Sequence, residues 1–419
     1  MKNLLYIISI FILFSCAEDN PLENKKISTE ILTTGEWLLT FNLKEAIDAP
    51  TNFSLVKSDS LYQVIFSNAS EKITVTEVKT SNNQITIKDP VFNNWFECEI
   101  VSPKEIKGFW FKNDTSYKVP FVASFGEQAR FKAPTEVTEE PTNVSGKWEV
   151  DFSKDSPENH SKAIGQFKQE GDRITGTFMT ETGDYRFLEG NMYGNNFSLS
   201  CYDGAHLFLF KAELRNDSLV GTFWSGTRWE EPWIAIKNET FMLSNPDSLT
   251  YLKEGYTELA FNFPNTKGEN IALTDEQFKN KVVIVNIMGP WCPNCKDETV
   301  YLAELHNKNN IDGLEVIALS FDNSDKAETI NKLNKIKTHF GANYDFLIAG
   351  KASKTESIKS LPMLNHIMSY PTSIFIDRKG NIRKIRTGFY GPGTGGYYTR
   401  YIEKTNDFVA KLLAEEVKN

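Results

Sequence analysis

The chain has 419 residues and a formal net charge of −9. That length exceeds what one hydrophobic core supports and implies about two to four domains. The acidic balance argues against a nucleic-acid binder, which would carry a basic patch. With only five cysteines, the chain is not a disulfide-dense scaffold.

Residues 1–15 read as a lipoprotein signal peptide. Lys2 gives a short positive start, and Leu4 to Phe14 is apolar apart from Ser9. The run is shorter than the roughly 20 residues of a membrane-spanning helix and fits the apolar core of a secretory signal. Leu13-Phe14-Ser15-Cys16 resembles a bacterial lipobox, which would leave Cys16 as a lipidated N-terminus. The alternative is an ordinary signal peptide cut nearby, with Cys16 incidental. Acyl chains on Cys16 would anchor the chain by about 0.8 kcal/mol per buried CH₂. Residues 16–33 then form a tether. Ala17-Glu18-Asp19 resembles the surface-export signals of some Gram-negative lipoproteins. The expected location is the Gram-negative cell envelope, lipid-anchored and either periplasm-facing or surface-exposed.

From about residue 34 to 240 aromatic and β-branched residues alternate with polar ones, as in SLYQVIFS, DRITGTFM and HLFLFKAEL. Alternation of period two, broken by Asn, Asp and Gly, predicts antiparallel strands. The half is also a repeat. Gly35-Glu36-Trp37 opens one block and Gly146-Lys147-Trp148 the next, and IKGFWF (106–111) echoes LVGTFW (219–224). We expect a β module over 34–132, an acidic Pro/Thr-rich linker over 133–143 and a second β module over 144–240. About eight strands per block would close an up-and-down barrel. Gly-x-Trp on a first strand resembles lipocalin-type barrels, although a twisted sandwich with a buried Trp reads the same way. Blocks this small favour an interior filled by side chains.

Residues 241–255 form a second linker, and over 256–419 the pattern changes to alternating strands and helices. KVVIVNIM (281–288) and LEVIALSF (314–321) read as buried strands, and YDFLIA (344–349) as another. Cys295 to about Asn307 and Ser324 to Phe340 read as helices, the second with Ser324 as N-cap. SIFIDR and NIRKIRTG flank Lys379-Gly380 as a hairpin, and Tyr398 to Glu415 is an amphipathic helix. The order predicts an α/β sheet covered on both faces.

Two cysteines stand in this region, in GPWCPNCKDE directly after the first buried strand. A structural zinc site commonly needs two ligand pairs, and there is no second CxxC. A structural disulfide closing so short a ring constrains the unfolded chain little. Redox chemistry suits the position best. Cys292 falls at a helix start, where free N–H groups and the helix dipole favour an anion. Thiols so placed have pKa values lowered to roughly 3.5–7.5, so Cys292 is expected to act as a thiolate. Cys295, one turn on, can attack the mixed disulfide and release the partner. A CxxC at a strand–turn–helix is a more specific signal than CxxC alone.

WCPNCKDE after KVVIVNIM, with SYPTSIFIDRKGNI downstream, resembles the TlpA-type thioredoxin family of exported thiol–disulfide oxidoreductases. The resemblance covers about Tyr256 to Glu415 and implies a thioredoxin fold. It implies that Cys292 attacks, that Cys295 resolves, and that the two form the redox-active disulfide. Pro371 matches the family's cis-proline, which faces the pair and helps bind substrate backbone. Glu298 matches the acidic residue three positions after the second cysteine and would handle the proton of Cys295. Trp291 fits the aromatic packing beside the pair. Tyr370 is bulkier than the Val or Thr common before the proline, which bears on partner preference. Cytosolic thioredoxins carry a buried acid six residues before the first cysteine; here that residue is Asn286, which leaves Glu298 as the nearest base.

The expectation for the whole chain is a multidomain protein with two all-β barrel-like or sandwich modules and a C-terminal thioredoxin-like domain. Its reaction is exchange with protein thiols and disulfides, with no cofactor and no metal. The family mostly reduces, so a reductase is expected, fed by a membrane thiol transporter of the DsbD or CcdA type. The alternatives are a disulfide oxidase or isomerase, or a β-module binding protein whose thiol pair is not catalytic. The glycine-rich stretch 388–396 is expected to shape the wall near Pro371. Cys98 and Cys201 are either a disulfide between the β modules or two buried free thiols.

Overall fold

The computed structural model describes residues 32–59, 61–126, 129–135 and 140–416. The expected signal peptide, the lipid-bearing Cys16 and most of the tether lie outside the described residues. Among the described residues no helix is long and apolar enough to cross a membrane.

Nine antiparallel strands form the first sheet: β1 (Gly35–Lys44), β2 (Ile47–Ser58), β3 (Leu61–Asn68), β4 (Glu71–Val75), β5 (Glu77–Ser81), β6 (Gln84–Lys88), β7 (Asn94–Ser102), β8 (Glu105–Lys112) and β9 (Asp114–Phe125). On β1 the alternation works as read: Trp37, Leu39, Phe41 and Leu43 are buried while Glu36 and Asn42 face water. The sheet curls so that β1 pairs with β9, and β4 and β5 are its two ends. It is an open, barrel-like module.

The second sheet comprises β10 (Gly146–Phe152), β11 (Ser161–Glu170), β12 (Arg173–Thr180), β13 (Gly183–Asp184), β14 (Leu188–Tyr193), β15 (Asn196–Tyr202), β16 (Leu207–Arg215), β17 (Ser218–Ser225) and β18 (Trp229–Lys237). Here β10 pairs with β18 and β11 pairs with β12, so the ring is closed and has no free edge. The strand count exceeds the eight expected because β13 is a two-residue spur beside β12.

The repeat extends to atomic detail. The Trp37 indole N–H donates to the Thr33 carbonyl (3.0 Å) and the Trp148 indole to the Val144 carbonyl (2.8 Å), four residues upstream in both modules. Gly108 and Gly221 are the glycines of the two echoing hexapeptides. A Cβ on either would run into a carbonyl of the adjacent strand. The interiors are packed. The void in the first barrel is about 10 Å³, room for at most about one water. In the second, Phe210 stacks on Phe178 (4.3 Å) and on Phe223 (4.4 Å). Phe210→Ala is expected to destabilise that barrel by about 3–5 kcal/mol, read as a lowered thermal midpoint. Cys98 and Cys201 sit in separate cores as free, buried thiols. Burial pushes the Cys98 thiol up to about 12.

After a short hairpin, β19 (Asn262–Pro264) and β20 (Asn270–Ala272), the chain enters a five-stranded sheet. Its strands are β21 (Val282–Met288), β22 (Leu314–Phe321), β23 (Asp345–Gly350), β24 (Thr372–Ile376) and β25 (Ile382–Thr387), in the order β23-β22-β21-β24-β25. The first three are parallel, and β24 and β25 run antiparallel to their neighbours. Central β21 is buried along its whole length, which explains its unbroken apolar run. Helices α1 (Pro293–Asn309), α2 (Lys326–Phe340), α3 (Lys354–Ser360) and α4 (Gly396–Ala414) surround the sheet. Val282 and Ile284 pack with residues of α1 and α4, while Val283, Val285 and Ile287 face the other way. This is a thioredoxin-like domain.

Two local expectations shift. Helix α2 is capped by Asp325, whose carboxylate accepts from the Glu328 N–H at 2.9 Å. Ser324, expected in that role, instead accepts from the Lys332 ammonium at 2.6 Å. Both residues are good caps, and the backbone turns helical one position later than expected. Helix α3, capped by Ser353, is too short and polar to carry a periodic signal.

Candidate active site

Strand β21 ends at Met288, and Gly289-Pro290-Trp291 turns the chain into α1. Cys292 is the N-cap, in extended conformation, and Pro293 opens the helix. The cap is made by sulfur: Cys292 Sγ accepts from the Cys295 N–H at 3.2 Å. The Cys292 thiol also points at the Tyr370 carbonyl, 3.4 Å away. Cys292 is 7% exposed and Cys295 fully buried. Both are free thiols, so the pair is shown as the dithiol. Burial pushes the Cys295 thiol up, and the neighbouring Cys292 sulfur adds to this.

The aromatic wall forms around the same turn. Trp291 donates its indole N–H to the Phe321 carbonyl at 3.1 Å. It packs edge-on against Tyr370, with centroids 5.5 Å apart. Gly289 leaves room for that indole, since a Cβ there would meet the ring. The Tyr370–Pro371 peptide is cis. The Pro371 carbonyl accepts from the Gly388 N–H at 3.0 Å, which puts the glycine-rich stretch beside the proline.

Glu298 lies one turn beyond Cys295 on α1 and is buried. Three side chains donate to its carboxylate: Asn286 Nδ2 at 2.6 Å, Tyr401 OH at 2.8 Å and Ser373 Oγ at 3.0 Å. Burial nevertheless holds the carboxyl above the ordinary carboxylate range, with the three hydrogen bonds opposing the shift. Asn286, expected only as a position that cannot titrate, turns out to hold the acid. Ser373 was visible two residues after Pro371 but carried no motif signal. Tyr401, far along the chain on α4, carried none at all. The structure thus gathers Trp291, Cys292, Cys295, Glu298, Tyr370 and Pro371 at one end of the sheet, and Cys16 alone lies outside the described residues.

The second barrel reaches this end of the sheet. Its β12–β14 connection, Thr180 to Phe187, hydrogen-bonds to four residues around the thiol pair and the cis-proline. Asn294, between the cysteines, donates to the Asp184 carbonyl at 3.3 Å. Ser369, just before Tyr370, donates to the Thr182 carbonyl at 2.6 Å. Tyr390 OH donates to the Thr180 carbonyl at 2.9 Å, and the Gly391 N–H to the Asp184 carboxylate at 2.7 Å. Arg186, buried at the junction, pairs with Asp297 of α1 and with Glu71 of the first barrel. The sequence reading missed Arg186, because nothing local marks an arginine that joins three modules.

A thioredoxin-like sheet with a CxxC at the start of its first long helix and a cis-proline beside it defines the class of thioredoxin-fold thiol–disulfide oxidoreductases. Comparison with known proteins narrows this. Residues 253–394 match the Redoxin family. The chain is 33% identical over 138 residues to thiol-disulfide oxidoreductase ResA of Bacillus thuringiensis subsp. konkukian, spanning 32% of this chain and 71% of that one. It is 30% identical over 137 residues to thioredoxin-like protein YneN of Bacillus subtilis, spanning 33% and 73%. A crystal structure of a putative thiol:disulfide interchange protein DsbE from Chlorobium tepidum superposes with a TM-score of 0.31 at 18% identity, covering 39% of this chain and all of the other. Through its C-terminal region the chain belongs to the TlpA-like thiol–disulfide oxidoreductase family.

Proposed function

We propose that this chain is an exported, membrane-anchored reductase of protein disulfides. The observation that carries the reading is the position of Cys292: its sulfur caps α1, receives the Cys295 N–H and faces the backbone beside Pro371. In the forward direction the Cys292 thiolate attacks one sulfur of the substrate disulfide. A mixed disulfide forms, and the other substrate sulfur leaves as a thiolate and takes up a proton. Cys295 then gives its proton to Glu298 and attacks Cys292 Sγ. The second substrate sulfur leaves, and a Cys292–Cys295 disulfide remains. Two electrons have passed to the substrate, so each cycle needs a dithiol donor. At the membrane that donor is a thiol transporter of the DsbD or CcdA type. Trp291, Tyr370 and Pro371 form the surface on which the substrate backbone lies.

The anchor is proposed from Leu13-Phe14-Ser15-Cys16 alone. Cys16→Ala is expected to move the protein from the membrane to the soluble fraction; retention in the membrane would remove the anchor. The reaction is tested with dithiothreitol as donor and glutathione disulfide as acceptor. Turnover above the uncatalysed rate, with a Cys292–Cys295 disulfide mapped by mass spectrometry, supports the reading. A pair that stays reduced overturns it.

A further inference from the structure

We propose that the β12–β14 connection of the second barrel is a specificity-determining wall laid across the substrate groove. It admits small or extended disulfides to Cys292 and holds back bulky folded ones. The proposal rests on the reductase reading above and concerns which substrates that site accepts.

The connection touches each side of the groove. It contacts the CxxC turn through Asn294, the segment before Pro371 through Ser369, and the glycine-rich stretch through Tyr390 and Gly391. The facing surfaces are shaved to fit. A Cβ on Gly183 would strike the Asn294 amide, and one on Gly388 would lie about 3 Å from the backbone of Glu181 and Thr182. Both glycines also have positive φ, 154° and 75°, a region that disfavours other residues. Side chains at either position would prop the wall away from the groove.

Arg186 fastens this wall. Its side chain is 3% exposed, its guanidinium is paired with Asp297 and Glu71, and its Nε lies 3.9 Å from Asp203. The contact therefore bridges both barrels and the helix that carries the cysteines. Attack on a disulfide needs the sulfurs within about 3–3.5 Å and in line. A disulfide inside a folded protein brings chain on both flanks. Thr182 and Asp184 are hydrogen-bonded to Ser369, which precedes Tyr370, and to Asn294, which follows Cys292 in the CxxC turn, and Cys292 itself is only 7% exposed. A small disulfide, or a single extended strand, meets Cys292 without displacing the wall. A bulky one must first break the hydrogen bonds and the Arg186 pairs.

The test compares glutathione disulfide with insulin as acceptors, using the full chain with dithiothreitol. Arg186→Ala and Tyr390→Phe loosen the wall and keep both cysteines. Arg186 Nη1 also donates to the Pro293 carbonyl between them at 3.4 Å, whereas the Tyr390 hydroxyl bonds to Thr180. Circular dichroism establishes that each variant is folded, and Tyr390→Phe decides the matter if Arg186→Ala is not. The expected result is a higher ratio of insulin to glutathione-disulfide turnover in the variants. For Arg186→Ala the rise is about tenfold, equivalent to ~1.4 kcal/mol removed from the closed arrangement. In Tyr390→Phe glutathione-disulfide turnover stays at the wild-type level. An unchanged ratio in the folded variants overturns the wall. If the wild type reduces neither disulfide, the reductase reading fails and takes the wall with it.

Discussion

Cys292→Ser is expected to bring disulfide reduction down to the uncatalysed rate. A serine hydroxyl at the start of α1 keeps the capping geometry, since it also accepts from the Cys295 N–H. It cannot form the thiolate that exchange requires. The loss is therefore chemical rather than structural, and the thermal midpoint should barely move. Cys295→Ser separates the two halves of the cycle. Attack by Cys292 still occurs, but nothing resolves the product, so one substrate sulfur stays bound per chain. Mass spectrometry should find that adduct on Cys292. Wild-type turnover in Cys292→Ser, or no adduct on Cys292 in Cys295→Ser, would contradict the assignment of roles.

Glu298→Gln is expected to slow turnover by about a hundredfold or more, the usual contribution of a positioned acid–base group. The reason lies in Cys295, whose thiol is fully buried and pushed up in pKa. It needs a base to become a nucleophile. Glu298, at i+3 on the same helix, is the buried carboxyl that can take the proton. The lesion should appear as a longer-lived mixed disulfide, with the first attack unaffected. Stability should respond differently. Burial raises the Glu298 carboxyl in the folded chain, so the folded chain holds this proton more tightly than the unfolded one. That favours folding fully below the ordinary carboxylate range, and the benefit is lost as pH rises through the raised folded value. Gln carries no such charge. The variant should melt no lower than wild type at neutral pH, with any advantage fading towards acid pH. Asn286 Oδ1, which lacks a hydrogen-bond partner, can turn to accept from the new amide. A slow enzyme of undiminished stability marks proton transfer. Unchanged turnover, or a large loss of stability at neutral pH, would contradict it.

Much of the site was legible because its residues are close in sequence or carry a rare pattern. Cys292, Cys295 and Glu298 fall on seven consecutive residues, and the apolar run before them announces a central strand. Pro371 was legible through its resemblance to a family motif. The barrels were legible from period-two alternation and from the repeated Gly-x-Trp, although alternation could not reveal that one ring closes and the other stays open. That difference depends on β11 pairing with β12, a property of strand length and curvature. The partners of Glu298 were largely hidden. Asn286, Ser373 and Tyr401 come from β21, β24 and α4, and only the fold brings them to one carboxylate. Arg186 was hidden for the same reason. Its meaning comes from Glu71 and Asp297, more than a hundred residues away on either side.

The most direct measurement is the reduction potential of the Cys292–Cys295 pair, by redox titration of the purified chain against dithiothreitol or glutathione buffers. A reversible two-electron transition near the thioredoxin level of about −270 mV is expected for a reductase. A value near −120 mV would make the pair a disulfide donor, and no reversible transition at all would contradict a redox role for Cys292 and Cys295.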